Sequence, residues 1–424
     1  MLARPLRAIP VLPALFAILL PWSLSAQGRG ATRPPACSPA ESGLQLADGF
    51  CAILVASDLR GARHLVVAPN GDVIVNVQGG RGGGGGAMLL RDTDGDGKAD
   101  VRETLGSPGG NGIALSGERL WVATNDAVLA YRLPAGSTRL AGGPDTIVSG
   151  LPSGGHAAKS IALGIDGALF VNLGSRTNSC QVQDRQNESP GQDPCTELET
   201  RAGIWRFDAN RTGQHQQDGV RYATGLRNVV ALAVHPGTGQ LYGMQHGRDQ
   251  LFQNWASVGY DEKESAELPS EEFIEVNRGD DFGWPYCYHN RFLGHLVLAP
   301  EYGGDETKVG RCGDKKGPLV AFPGHWAPNG LAFQTTDQFP ADYRGGAFIA
   351  FHGSWNRAPL PQEGFKVVFQ PMSGRSPAGD YRTFIDGFRA LSPAGRPVGL
   401  AVGPDGSLFV SDDAGGRIWR VVHR

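Results

Sequence analysis

Six stretches of this chain repeat one pattern, and no other feature narrows the fold as far. They are "HLVVAPNGDVIVN" (64–76), "GIALSGERLWVAT" (112–124), "SIALGIDGALFVN" (160–172), "ALAVHPGTGQLYG" (231–243), "GLAFQTTDQFPADYRGGAFIA" (330–350) and "GLAVGPDGSLFVS" (399–411). Each gives a short apolar run, a turn, and a strand rich in Val, Phe, Trp or Tyr. The "PNG", "IDG" and "PDG" turns supply the glycine that a tight hairpin needs at positive φ. A third strand follows several copies, as in "AVLAYRL" from Ala127, "GIWRFDA" from Gly203, "FKVVFQP" from Phe365 and "RIWRVVH" from Arg417. The unit is a β-meander. Ile74 and Trp121 are 47 positions apart, Trp121 and Phe170 are 49 apart, and later spacings are longer. One small sheet cannot bury both faces, whereas meanders of fixed period stacked around an axis can. The expected fold is all-β, a six-bladed β-propeller of four-stranded antiparallel blades. The unpartnered strand "FCAILVA" from Phe50 is expected to complete the last blade beside "RIWRVVH".

Composition agrees, with 62 Gly against 4 Met and no long amphipathic helical pattern. A net charge of −3 gives no basic field for nucleic acid or an anionic membrane. Arg4 and Arg7 precede an apolar run from Ile9 to Trp22 and then "SLSAQG", the parts of a secretory signal cleaved near Ala26. That run is too short to span a bilayer, and no later run is long enough. The expected organisation is a signal peptide at 1–26 and one propeller domain at 27–424, in a periplasmic or secreted protein. The six cysteines fall into three sequence-local pairs, which an oxidising compartment turns into three disulfides. Tyr242 and Ile349 are 107 positions apart, so a long insertion is expected at about 250–325. It is expected to cover one mouth of the propeller's central channel, stapled by Cys287–Cys312. Trp284 and Tyr286 there would stack on a bound ligand, or pack in a core. His289 and His295, six apart, lack a clean metal-ligand spacing.

In a propeller the first strand of every blade lines the central channel, so the residues entering those strands converge on one funnel. Here they are Arg63, Asn111, His156, Arg227 with Asn228, Asn329 and Arg396. Arginines bind carboxylates bidentately, and several around one funnel suit a ligand with several carboxylates. A single histidine with a pKa near neutrality suits proton abstraction.

The motifs "GGHAAKSIALGIDGALFVNLGS", "GLRNVVALAVHPGTGQLYGMQHGRD", "DFGWPYCY", "HGSWNR" and "GRPVGLAVGPDGSLFVSDD" resemble the soluble sugar dehydrogenases that depend on pyrroloquinoline quinone (PQQ), nearest to the L-sorbosone dehydrogenase-like branch. The resemblance implies PQQ with Ca²⁺ over the funnel, oxidising an aldose or a sugar aldehyde such as sorbosone. It implies His156 as general base and Arg227 as the stabiliser of the quinone oxygens. It places Arg63, Asn111, Asn228 and Arg396 against the cofactor, and the backbone carbonyls of Gly247 and Arg248 on Ca²⁺. Gly155 stands where glucose-oxidising members carry Asp, and "HGSWNR" replaces their Lys, so His352 or Arg357 takes that place. No CxxCH haem-attachment motif occurs in these residues, and electrons are expected to leave through a separate acceptor, a cytochrome or a quinone.

"DTDGDGKADVRE" sets Asp92, Asp94, Asp96, Asp100 and Glu103 at the spacing of a Ca²⁺ loop, although its flanks read as strands rather than helices. It is carried as a possible second Ca²⁺ site or an acidic hairpin turn. Two other functions fit a propeller: a Ca²⁺-dependent lactonase or esterase, and a non-catalytic binding module. The first needs carboxylates clustered on a central metal, and the funnel residues above are rich in arginine and poor in carboxylate.

Overall fold

Each repeat closes as one sheet with four antiparallel strands, to which Gln45–Leu46 adds a fifth strand in the fifth blade and Asp280–Asp281 a short parallel fifth strand in the third. The innermost strands are Ala62–Val67, Ile113–Ser116, Ile161–Leu163, Ala231–Val234, Pro328–Phe333 and Pro397–Val402. Each contacts the innermost strand of the next blade, and the sixth contacts the first, so the ring is closed. The architecture is a six-bladed β-propeller, as the repeat requires. This computed structural model describes Met1, Cys37, residues 42–80 and residues 83–424. The expected signal peptide and its cleavage point lie outside the described residues. Residues 34–424 form one unit.

The core follows from the alternation of apolar residues along the strands. Side chains on the two faces of a blade enter two different apolar layers, one toward each neighbour. Six clusters result, each built by two adjacent blades. Trp121 of the second blade packs with Trp205 and Phe207 of the third, and Phe170 of the third packs with Ile274 of the fourth. The junction of the fifth and sixth blades is the most aromatic, with Phe348, Phe369, Phe384 and Trp419. Fully burying one such ring stabilises by roughly 1.5–3 kcal/mol.

The strand Phe50–Ala56 pairs antiparallel with Arg417–His423, with Phe50 opposite His423, and so becomes the outer strand of the sixth blade. A bridge from Cys37 to Cys51 holds this strand, and bridges Cys180–Cys195 and Cys287–Cys312 tie two loops. All six cysteines are paired as the three sequence-local pairs. Among the described residues no helix is long and apolar enough to cross a membrane.

Antiparallel alternation sorts the loops onto two faces. Residues entering a first strand and residues leaving a second strand share one face. Turns between first and second strands, and between third and fourth, share the other. The second strands Val73–Gly80, Ala168–Leu173 and Leu408–Asp412 carry buried polar residues that grip the next blade on the first face. Asn76 donates to Gly112 O at 2.8 Å and accepts from Gly110 N at 2.8 Å. Asn172 accepts from Val229 N at 3.1 Å, and Ser411 donates to Arg63 O at 2.6 Å. These bonds fix the backbone of the residues that lead into the innermost strands.

Candidate functional site

Arg63, Asn111, His156, Arg227, Asn228 and Arg396 all lie on that first face, at the entries to innermost strands. One network joins the first, second, fifth and sixth blades. Arg63 Nε donates to Asn111 Oδ1 at 2.9 Å and its Nη1 to Asp413 Oδ2 at 2.8 Å. His352 Nε2 lies 2.9 Å from Asp413 Oδ1. A carboxylate only accepts, so this nitrogen carries the proton. Arg396 Nε donates to His352 O at 2.9 Å, and its Nη2 donates to Gly353 O. Asp413 is held below the ordinary carboxylate range: burial alone would raise it, but the His352 hydrogen bond and Arg63 outweigh burial. A guanidinium has five N–H groups. Arg63 and Arg396 each spend only two on the described residues, so both keep donors for an anionic ligand.

A second network surrounds Arg227. Its Nη1 donates to Gly247 O at 2.9 Å, its Nε to Asn178 O at 3.2 Å, and its Nη2 to Asn178 Oδ1 at 3.1 Å and Asp249 Oδ2 at 3.0 Å. One Nη1 hydrogen is left. Asp249 also accepts from Arg185 at 2.9 Å and Asn356 at 2.7 Å. Burial would raise its pKa, but Arg227, His325 and Arg185 together hold it far below normal. Glu271, at the start of strand Glu271–Val276, accepts from Gly247 N at 3.0 Å and Ala327 N at 3.1 Å. Burial pushes its carboxyl up to about 8. Asn228 Oδ1 accepts from Asn172 at 3.2 Å.

His156 Nδ1 lies 2.9 Å from Ser175 O and 3.0 Å from Ser175 Oγ. Ser175 Oγ itself donates to Thr177 O at 2.7 Å, so both oxygens accept and Nδ1 carries the proton. The lone pair is therefore on Nε2, which has no partner among the described residues. The pKa differs from the near-neutral value expected from the sequence: burial, and then the charge of Arg227, lower it to about 3. The imidazole is neutral across the working range.

The loop bearing His156 is cinched by cations. Lys159 Nζ donates to Pro152 O at 2.8 Å and Ala157 O at 2.6 Å, and Arg201 donates to Ser153 O and to Gly154 O at 3.1 Å. Four carbonyls between Pro152 and Ala157 thus face two cations.

Other expected residues are placed differently. Arg357 does not join the funnel donors: its guanidinium is spent on Glu267, Pro361 O, Ala266 O and Gly324 O, and it is buried. The Arg248 side chain is buried against Glu301, so only its backbone carbonyl remains for a cation. Asn329 lends its carbonyl to His64 Nε2 at 2.8 Å. Trp284 is buried and donates to Asn178 O at 3.0 Å, while Tyr286 receives Cys195 N at 2.9 Å and packs on Tyr302. Both serve the packing of the insertion. The carboxylates of Asp92, Asp94 and Asp100 come within 4.8 Å of one another. Asp96 and Glu103 stay outside that group, and Glu103 sits in strand Val101–Gly106. This loop turns a hairpin between the third and fourth strands of the first blade, with Arg91 opposite Val101. It therefore lies on the face away from His156 and Arg227.

Asn178 and Glu271, which bond Arg227 and Gly247, were not singled out in the sequence, and neither were three residues with a shared placement: Ser175, Asp249 and Asp413. These three follow second strands, in "LGS", "QHGRD" and "SDD". The signal was present, since residues leaving the second strand share the face of those entering the first. The two aspartates also correct the carboxylate-poor description. They are ion-paired with arginines, and among the described residues the only acidic group close enough to hold a metal is Asp92, Asp94 and Asp100.

A PQQ-dependent sugar dehydrogenase of Hypocrea jecorina is 23% identical over 340 residues, 73% of each chain. A PQQ-dependent pyranose dehydrogenase of Coprinopsis cinerea is 24% identical over 420 residues, 89% of this chain but 54% of the relative. An uncharacterised protein of Borreliella burgdorferi is 31% identical over 208 residues, 47% of this chain and 48% of the relative. The chain thus spans about half the length of the last two. Among solved structures, a Trichoderma reesei enzyme of carbohydrate-active family AA12 superposes with a TM-score of 0.75 at 20% identity, covering 90% of this chain and 98% of that one. The PQQ domain of the Coprinopsis cinerea pyranose dehydrogenase, in its holo form, gives 0.71 at 20%, covering 89% and 97%. The model of the TrAA12-like family matches residues 44–424, and the chain belongs to that family.

Proposed function

We propose that this protein oxidises a neutral sugar, an aldose or sugar aldehyde, using PQQ held at the funnel with Ca²⁺. The observation that carries the proposal is the pairing of a proton-free His156 Nε2 with arginines that keep unspent donors on the same face. Three guanidiniums, Arg63, Arg227 and Arg396, meet two ionised carboxylates, Asp249 and Asp413, so the rim has a positive surplus suited to a polyanion. That donor set fits a tricarboxylate quinone. Asn111 and Asn228 add amide groups beside it. Gly247 O has one lone pair on Arg227 and a second available, which, with the Arg248 carbonyl, suits a hard cation.

PQQ, when bound, supplies the acceptor for the two electrons that leave the sugar carbon with its hydrogen. The work of the chain is binding and proton handling. Ser175 fixes the imidazole tautomer, so Nε2 takes the hydroxyl proton of the sugar. Negative charge placed beside Arg227 offsets the cation that depresses His156 and makes the imidazole a stronger base. The last Nη1 hydrogen of Arg227 is left for an oxygen gaining negative charge. The electrons then pass to a separate acceptor, a cytochrome or quinone. Export to a periplasmic or extracellular space is part of the proposal, supported by the three disulfides. A lactonase-type hydrolase is disfavoured, because the sole acidic trio among the described residues lies on the opposite face.

The test is reconstitution of purified protein with PQQ and Ca²⁺, followed by dye reduction with a panel of aldoses and sugar aldehydes. Sugar-dependent reduction is expected. Absence of reduction with every sugar, and of any PQQ-induced rise in melting temperature, overturns the proposal.

A further inference from the structure

Trp355 is out of place for a tryptophan. Trp121, Trp205, Trp255, Trp284, Trp326 and Trp419 are each at most 7% exposed, whereas Trp355 is 68% exposed. Its indole has no aromatic or cationic partner among the described residues. A single exposed apolar side chain needs no explanation in itself, so whether this indole has an occupant, and of what kind, is decided by what surrounds it.

Its position says which. Trp355 follows the second strand of the fifth blade, Ala347–Phe351, and so stands on the same face as His156. Three residues earlier His352 bonds Asp413, and one residue later Asn356 donates to Asp249 at 2.7 Å, the carboxylate that also holds Arg227. Ser354 is buried, with its backbone N donating to Glu363 O at 2.8 Å, and Arg357 is locked beneath. The chain is therefore pinned on both sides of Trp355, and only the indole stands clear. A rigid aromatic plate beside a polar, cation-lined funnel matches a pyranose ring, which has an apolar C–H face and a hydroxyl edge. The plate takes the face, and polar groups of the funnel take the edge.

We propose that Trp355 is a saccharide-binding platform at the funnel mouth. It stacks on a sugar ring of the substrate and sets preference for substrates long enough to reach both it and His156. This rests on the sugar-oxidation proposal for its kinetic consequence but not for its binding consequence.

The experiment uses the full chain reconstituted with PQQ and Ca²⁺, with glucose, cellobiose and cellotetraose as probes and a small dye as acceptor. Trp355→Ala is expected to raise KM about tenfold for the probe that reaches the plate, the equivalent of about 1.4 kcal/mol, with kcat within about twofold. Loss of binding shared by ground and transition states has that signature. Trp355→Phe should restore most of the affinity. A second readout needs no turnover: the emission of Trp355 shifts when a probe saccharide is titrated into the protein, and Trp355→Phe abolishes the shift. A saccharide-induced shift without dye reduction by the wild type sustains the platform and removes the dehydrogenase proposal. An unchanged KM for all three sugars in Trp355→Ala, with no emission shift in the wild type, overturns the platform and leaves the dehydrogenase standing. Slower dye reduction at unchanged KM also overturns it, because it assigns Trp355 to the electron acceptor.

Discussion

Replacing Lys159 with methionine keeps the length of a side chain that is 1% exposed and deletes its charge. The Lys159 ammonium is held by the carbonyls of Pro152 and Ala157. No carboxylate lies within ion-pair distance among the described residues. Burial, and then Arg201, lower its pKa from 10.5 to about 8, with Asp126 opposing in part. At about 1.4 kcal/mol per pH unit, keeping the charge in the folded state costs about 3 kcal/mol. The sign follows from proton counting. Below pH 8 the lysine is charged whether folded or unfolded, and the cost is constant. Between pH 8 and 10.5 the unfolded chain keeps a proton that the folded chain has released, so stability rises with pH. Above 10.5 the gain is complete. Urea unfolding of wild type and Lys159→Met at several pH values from 7.5 to 10.5 reads this directly. The wild type should gain about 3 kcal/mol on the variant across the window, while other titrations cancel in the difference. The same variant frees the loop that carries His156. A misplacement on the order of 1 Å can cost about 10²-fold in rate, so kcat should fall about 10- to 100-fold with PQQ binding retained. A stability difference that stays flat, or grows toward acid, refutes a buried, unneutralised ammonium.

Other expectations are simpler to check. His156→Ala should load PQQ normally, by absorbance titration, and lose about 10²–10⁴-fold in turnover. In the apoprotein the His156 ring signals should not move between pH 5 and 8 in NMR, because burial and Arg227 hold its pKa at about 3; a midpoint near 6.5 would contradict this. Arg63→Met should weaken PQQ binding about 10- to 100-fold, as expected for one charge-assisted contact of roughly 1.5–3 kcal/mol, with its effect on calorimetric Kd larger than on kcat.

The ring was legible because its cause is periodic. One β-meander cannot bury two faces, so six similar meanders had to stack, and "FCAILVA" had to find "RIWRVVH". The first half of the site was legible for the same reason, since Arg63, His156, Arg227 and Arg396 precede equivalent strands. The other half needed the direction of each second strand. Asp249 and Asp413 follow those strands, and their significance depends on which arginines face them. The sequence around Trp284 and Trp355 does not say which of the two is exposed. Only packing shows that the first is sealed under the Cys180–Cys195 loop and the second stands in water. The pKa of His156 was illegible because burial and the charge of Arg227 come from residues distant along the chain. The Asp92–Asp100 loop has a Ca²⁺-loop spacing, yet strand flanks turn it into a hairpin on the opposite face.

The most direct test is anaerobic titration of the PQQ- and Ca²⁺-loaded protein with an accepted sugar, following the absorbance of the oxidised quinone. The expected result is stoichiometric bleaching, one sugar per bound cofactor. His156→Ala should load equally and bleach slowly, and Arg63→Met combined with Arg396→Met should fail to load. Loading that ignores both arginines, or bleaching at full speed without His156, would contradict the site described above.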